Sequence, residues 1–360
     1  MKTGRTIEEI AKELLRVAES KRDFIAPCKD ISFDALGNKD IHQRISVHLG
    51  NGNGGHDFWP TDLFHDQIAN KLGIPVRYYE RCLIEDPELL RVNVNRWLKK
   101  RGGECQMIST LDGKARAFLS DHYRPLDNED LFEAVYPAVL ASGCRIESAE
   151  LTPTRFYLKA VTDRIQGEVK VGQIVQAGIS ISNSEIGLGA VRVEPMLFEL
   201  QCLNGMIVNK MGQYKAHIGR SGEEFGLEGA SEFYRDETRA IDDKAFWMKV
   251  VDTANAVLQK DGFESVMQKY RSMMENCIEA DPTKAVLEVT KKFSLSDHEG
   301  GQVLKYLVKG GDLSQYGMIN AITRASQDLP DYDRATEFER LGGKVMELPK
   351  KDWEAIANAK

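Results

Sequence analysis

The sequence predicts an α+β protein in which an antiparallel sheet with a packed helix forms the central core. A helical N-terminal region and a mostly helical C-terminal module flank it. Three observations carry this. Four segments between residues 144 and 198 are rich in β-branched and aromatic residues and bounded by turn residues. Just before them Leu131, Phe132, Val135, Tyr136 and Leu140 recur at helical spacing, and Gly143 closes the pattern. Beyond Asp242 apolar residues again return at helical spacing. A chain of 360 residues is long enough for more than one domain. Composition divides it into a mixed helical region (1–104), the central α+β core (105–220), a Gly-, Glu- and Ser-rich linker (221–243) and the helical module (244–360).

Thr6-Ile7-Glu8-Glu9 is a capping box, and Ile10, Ala11, Leu14, Leu15 and Ala18 continue one helical face to about Ser20. Short extended segments follow at Ile31–Phe33 and Ile45–Leu49. Gly50-Asn51-Gly52-Asn53-Gly54-Gly55 matches the spacing of a dinucleotide fingerprint, which requires its last glycine to open a helix. Pro60 closely follows and forbids that helix, so the segment reads as a hairpin tip or loop.

From Thr61 to Cys82 two short helices are broken at Gly73-Ile74-Pro75, and Asp86-Pro87 starts a third. Ala69 and Gly73 stand where a helix-turn-helix places its small residue and turn glycine. The second helix offers only Arg77, Glu80 and Arg81 as base-reading groups, and a structural helical hairpin is favoured.

The next stretch is the most basic. Arg91, Arg96, Lys99, Lys100, Arg101, Lys114, Arg116 and Arg124 face Glu104, Asp112 and Asp121, with Trp97, Phe118 and Tyr123 interleaved. Cations that track phosphates, with aromatic faces that stack bases, are how single-stranded nucleic acid is held. The competing reading is a solvated helix end whose cations answer the helix dipole, with Trp97 and Phe118 in the core. Asp112-Gly113 marks a hairpin turn, and Asp127 or Asn128 caps the central helix. Strands follow at 144–151, 155–161, 173–181 and 190–198. In the second, Phe156, Leu158 and Ala160 share one face, while Arg155, Tyr157 and Lys159 share the other. The first face is expected to pack on the helix and the second to remain an open basic and aromatic surface. In the C-terminal module Asp242–Ala280 reads as one or two long helices. Ser296–Glu299 is a second capping box, Tyr316–Thr323 lies within a helix, and the acidic tail Asp328–Glu339 reads as a surface loop and short helix.

Net charge is −7, all of it beyond residue 220, where 26 acidic residues meet 19 Lys and Arg. No apolar run approaches a membrane span. Cys28, Cys82, Cys105, Cys144, Cys202 and Cys277 are scattered singly, which argues against zinc or a disulfide framework and for a reducing cytoplasm. No metalloprotease, nucleophile-elbow, Walker A or EF-hand pattern is present, and no cofactor or metal is expected.

Thr61–Arg81 (with Gln67, Ala69, Leu72-Gly73-Ile74-Pro75 and Tyr78-Tyr79), Phe118–Arg124 with Asp127-Asn128, Gln201–Met206 followed by the His217 region, and Asn320–Thr323 with Leu341-Gly342-Gly343 occur in an ordered series along the chain. In these the chain resembles a phage- and plasmid-encoded family of unknown function, which implies a mobile-element protein of the bacterial host cytoplasm. The order strand, helix, strands is also similar to phage single-strand annealing proteins of the RecT/Redβ and Erf kind, an analogy of architecture. The resulting expectation is a homo-oligomeric protein that binds single-stranded DNA for annealing and recombination. Lys114, Arg116, Tyr123, Arg124, Arg155, Tyr157 and Lys159 would line its groove, with Lys99, Lys100 and Arg101 at the rim. Two alternatives stand beside it: a host-interaction or counter-defence protein whose acidic C-terminal module binds a host or phage protein, and a metal- or nucleotide-dependent enzyme with a dispersed site.

Overall fold

The computed structural model describes residues 1–36, 40, 43–51, 54–123, 125–189, 191–208, 217–218, 236–279 and 281–359. The chain forms two compact units, each described by itself. The N-terminal unit holds Ala11–Asp127 and Glu185–Leu188, and the C-terminal unit holds Met1–Ile10, Asn128–Ser184 and Gly189–Lys360. The stretch 105–220, expected to form one core, is therefore shared between them.

Helix α1 (Ile7–Ser20) begins at the expected capping box: the Glu9 amide donates to Thr6 Oγ1 at 3.3 Å, and Glu9 Oε2 accepts from the Thr6 amide at 2.9 Å. Then come β1 (Arg22–Pro27), a 3-10 turn at Cys28–Asp30, β2 (Ile31–Ala35), β3 (Ile45–Asn51) and β4 (Gly54–Pro60). The glycine-rich segment is a hairpin in which Asn51 pairs with Gly54. Helices α2 (Asp62–Leu72), α3 (Val76–Glu85) and α4 (Pro87–Arg101) follow, then β5 (Cys105–Leu111) and β6 (Lys114–Ser120). Gly73 turns α2 into α3 at φ 69°, a left-handed conformation that glycine adopts without a Cβ clash. Asp112 (φ 50°) and Gly113 (φ 74°) form the two-residue turn of the β5–β6 hairpin.

The strands lie in the order β1-β5-β6-β4-β3-β2, with β4 and β6 parallel. Phe33, Val47, Phe64, Ile68, Val94, Leu98 and Ile108 make a core with no solvent exposure. Each such side chain contributes roughly 1.5–3 kcal/mol through burial. Asn95 of α4 clasps the β2 edge: its Oδ1 accepts from the Phe33 amide at 2.7 Å and its Nδ2 donates to the Phe33 carbonyl at 2.9 Å. An otherwise unpaired edge is thereby covered.

In the C-terminal unit α5 (Asn128–Ala141) leads into β7 (Arg145–Leu151), β8 (Phe156–Glu168), β9 (Ile174–Asn183), β10 (Val191–Glu199) and β11 (Asn204–Ile207). These five strands form an antiparallel meander, and β12 (His217–Ile218) also pairs with β10. The helices are α6 (Asp236–Val257), α7 (Lys260–Ser272), α8 (Pro282–Lys292), α9 (Asp297–Gly310), α10 (Gln315–Ala325), α11 (Tyr332–Met346) and α12 (Lys350–Ala357). Ser296 caps α9 with a complete capping box.

Two expectations are corrected in this unit. The C-terminal helices are not a separate module: Val175, Ala177, Leu197 and Met206 of the sheet share a hydrophobic core with Phe263, Met267, Ile319, Ile322 and Phe338. Strand β9 is buried at every position from Val175 to Asn183, so its sheet must be covered on both faces. The acidic stretch 328–339 is not a surface appendage, because most of it belongs to α11, where Thr336, Phe338 and Glu339 have at most 1% exposure.

Candidate nucleic-acid interface

Directly paired positions of an antiparallel sheet share a face, which places Tyr157 and Lys159 of β8 beside Ser182 and Ser180 of β9 and Glu194 of β10. On the opposite face Phe156 meets Phe132 of α5, as expected, with ring centroids 6.2 Å apart. The face expected to be open is closed by α11. Lys159 has no exposure; its ammonium donates to Glu339 Oε2 at 2.7 Å and Thr336 Oγ1 at 2.9 Å and lies 4.6 Å from the centre of the Tyr332 ring. Burial lowers the Lys159 pKa, and the Glu339 carboxylate opposes that shift. Arg340 of α11 grips Glu194, with Nη2 2.6 Å from Oε2, and Tyr332 meets Ser148 at 2.6 Å. Tyr157 is 1% exposed, and burial raises its phenol pKa. Tyr157 and Lys159 are therefore corrected from groove residues to interior ones. An alternating strand shows which residues share a face; it does not show whether a distant helix covers that face. Arg155 is half-buried just before β8, and its amide donates to Thr152 Oγ1 at 2.9 Å.

Three of the remaining sequence-derived site residues, Lys114, Arg116 and Tyr123, lie in the N-terminal unit along β6 and just beyond it. Arg116 is also corrected. Its side chain is 11% exposed, with Nη2 2.8 Å from Glu185 Oε2 and Nε 3.0 Å from Ser109 Oγ. Lys21 approaches the same Glu185 at 3.9 Å and pairs with Asp127. Tyr123 is half-buried, and its hydroxyl accepts from the Gly187 amide at 3.0 Å; burial raises its pKa. Arg116 and Tyr123 thus hold the segment 185–188. Lys114 is exposed at the start of β6. Arg124 lies outside the described residues.

The last three, Lys99, Lys100 and Arg101, do form a surface. They occupy the last turn of α4, whose buried stripe is Leu90, Val94 and Leu98. Lys99 and Lys100 point outward with Arg96, and Trp97 is 42% exposed, with the Lys100 ammonium 4.9 Å above its ring. Two further lysines join them, neither of which the linear pattern connects to this helix. The Lys29 amide donates to the Gly102 carbonyl at 3.0 Å, and Arg101 Nη2 donates to the Lys71 carbonyl at 2.7 Å. Both lysines are exposed. Arg101 also pairs with Glu104 at 3.2 Å, while among the described residues no carboxylate pairs with Lys29, Lys71, Lys99 or Lys100. Strand β5 then carries the chain seven residues, roughly 20 Å, away from this end before the turn that precedes Lys114. Lys114 is therefore not part of the cluster.

No family model matches the chain, and no curated protein and no solved structure matches it. Among the described residues no group of three or more His, Cys, Asp or Glu is arranged to hold a metal ion, and no helix is long and apolar enough to cross a membrane.

Proposed function

We propose that this protein binds single-stranded DNA through the basic end of α4, as a homo-oligomeric annealing protein of a phage or plasmid. The observation that supports the reading is the gathering of Lys29, Lys71, Lys99, Lys100 and Arg101 from three separate segments, beside an exposed tryptophan and with Glu104 as the one carboxylate paired there among the described residues. Phosphates would replace the water around these ammonium and guanidinium groups, and a base would stack on Trp97. Counterion release from five such contacts predicts an affinity loss of about two orders of magnitude between about 50 and 200 mM salt.

A fluorescence-anisotropy titration with a labelled single-stranded oligonucleotide at those two salt concentrations tests the reading, alongside a mass measurement of the oligomer. Lys99→Glu/Lys100→Glu is expected to weaken binding by at least about tenfold at low salt while the circular dichroism spectrum stays unchanged. Equal affinity of wild type and variant would remove the interface from this helix end.

The protein-partner alternative has less to draw on. Asp328, Asp331, Asp333, Glu337 and Glu339 all have partners within the C-terminal unit: Arg324, the Arg334 amide, Thr152, Arg334 and Lys159.

A further inference from the structure

Tyr78 and Tyr79 are adjacent in α3 and have opposite surroundings. Tyr79 is buried in the core of the N-terminal unit, its hydroxyl 2.7 Å from His65 Nδ1. Tyr78 is 45% exposed, and its hydroxyl accepts from Asn93 Nδ2 of α4 at 3.2 Å. Single exposed apolar side chains are common on protein surfaces. This ring differs in being tethered, by its polar end, to the helix that carries the basic cluster.

The exposed side of α4 forms a stripe. Leu89, Asn93, Arg96 and Lys100 recur at intervals of three and four residues, which places them on one face, and Trp97 borders it. Leu89, Arg96 and Lys100 are exposed. The helix has one carboxylate, Glu88, which lies off this face and pairs with Arg91. Among the described residues no carboxylate pairs with Arg96 or Lys100.

Asn93 stands one turn, about 6 Å, before Trp97 along the helix axis. Its bond to Tyr78 therefore sets a second exposed ring beside the stripe, one turn from the first. Two rings flanked by unpaired cations, with no carboxylate on the helix face between them, suit a polyanion that carries planar bases.

We propose that Tyr78 is a second base-stacking platform. One strand of DNA runs along α4 from Lys100 toward Asn93, with one base on Trp97, another on Tyr78, and Arg96 against the phosphate backbone. The inference rests on the DNA-binding reading and adds to it a reason for choosing single strands over duplex. In a duplex each base is stacked on both faces and paired at its edge, so neither ring can take one.

Photocrosslinking of the wild-type protein to a single-stranded oligonucleotide substituted with 5-iodouracil, read by mass spectrometry, is the first test. Adducts should form on both Trp97 and Tyr78, and the absence of a Tyr78 adduct would overturn the proposal whether or not any variant folds. Anisotropy supplies the second test. Tyr78→Ala should weaken single-strand binding about tenfold without changing its salt dependence, because the lost ring released no counterion. Tyr78→Phe keeps the ring and should stay within about threefold of wild type. A strand of abasic sites offers nothing to stack, so wild type and Tyr78→Ala should bind it equally. An equal loss on abasic and base-bearing strands would assign Tyr78 a structural role and overturn the platform. Lys99→Glu/Lys100→Glu separates the two claims. If it loses affinity while Tyr78→Ala keeps that of wild type, the second platform fails and the DNA surface stands; if neither loses affinity, both fail.

Discussion

The cations at the end of α4 and the cation at the centre of β8 carry the same charge in opposite settings. Lys99 and Lys100 stand in water with no carboxylate paired to them among the described residues, whereas Lys159 is wholly enclosed and bonded to Glu339 and Thr336. Both sets lie near aromatic rings, Trp97 in one case and Tyr332 in the other. What separates them is the partner. An exposed ammonium retains its hydration and can exchange it for a ligand phosphate, while a buried one is already committed to the carboxylate that allows its burial. Charge and aromatic content therefore do not mark a binding face until burial is known. Removing the exposed set should change binding and spare stability, and removing the buried set should do the reverse.

The largest effect is expected at the buried pair. Lys159→Met leaves Glu339 enclosed without its cation and should destabilise the protein by about 3–5 kcal/mol in urea denaturation. Lys159→Met/Glu339→Leu should recover much of that loss; a double variant no better than the single one would mean that the pair matters for something other than charge. Next comes Arg116, between the two extremes. Its bonds to Glu185 and Ser109 predict that Arg116→Ala costs about 1–3 kcal/mol of stability, in contrast to a groove residue that would affect DNA affinity alone. Trp97→Ala should lower DNA affinity by about 1–3 kcal/mol, read by anisotropy, and move stability by less than about 0.5 kcal/mol.

The smallest effect is one of pH. Arg334 holds the Glu299 carboxyl at about 2, below its ordinary value of 4.5. Because the folded value is depressed, the stabilisation is complete above pH 4.5 and is lost as pH falls toward 2. It amounts to about 1–2 kcal/mol after allowance for the partly exposed Arg334. Acid unfolding of Glu299→Gln should lack that portion of the pH dependence, and an unchanged acid profile would show that the pair contributes nothing.

The elements most legible in the sequence were those fixed by local chemistry. The Thr6–Glu9 and Ser296–Glu299 boxes, the Gly73 turn, the Asp112-Gly113 hairpin and the starts of the four central strands formed where the residue pattern put them, although β8 runs on to Glu168, past its expected end at 161. What was hidden depended on distant partners. Glu339 lies 180 residues from Lys159, and its neighbours Asp331, Asp333 and Glu337 read locally as a solvated acidic tail. Lys29 and Lys71 reach the end of α4 only through bonds between separate elements, the Lys29 amide to the Gly102 carbonyl and Arg101 Nη2 to the Lys71 carbonyl. Residues 185–188 belong with the N-terminal unit, although they connect two strands of the other sheet. Periodicity identifies a face, and only tertiary structure shows what covers it.

Lysine footprinting by an amine-reactive label, with and without saturating single-stranded DNA and read by mass spectrometry, tests the central claim most directly. Strong protection is expected at Lys29, Lys71, Lys99 and Lys100, with Lys114 and Lys309 labelled equally in both states. Protection that spares the α4 end, or that falls on Lys114 instead, would contradict it.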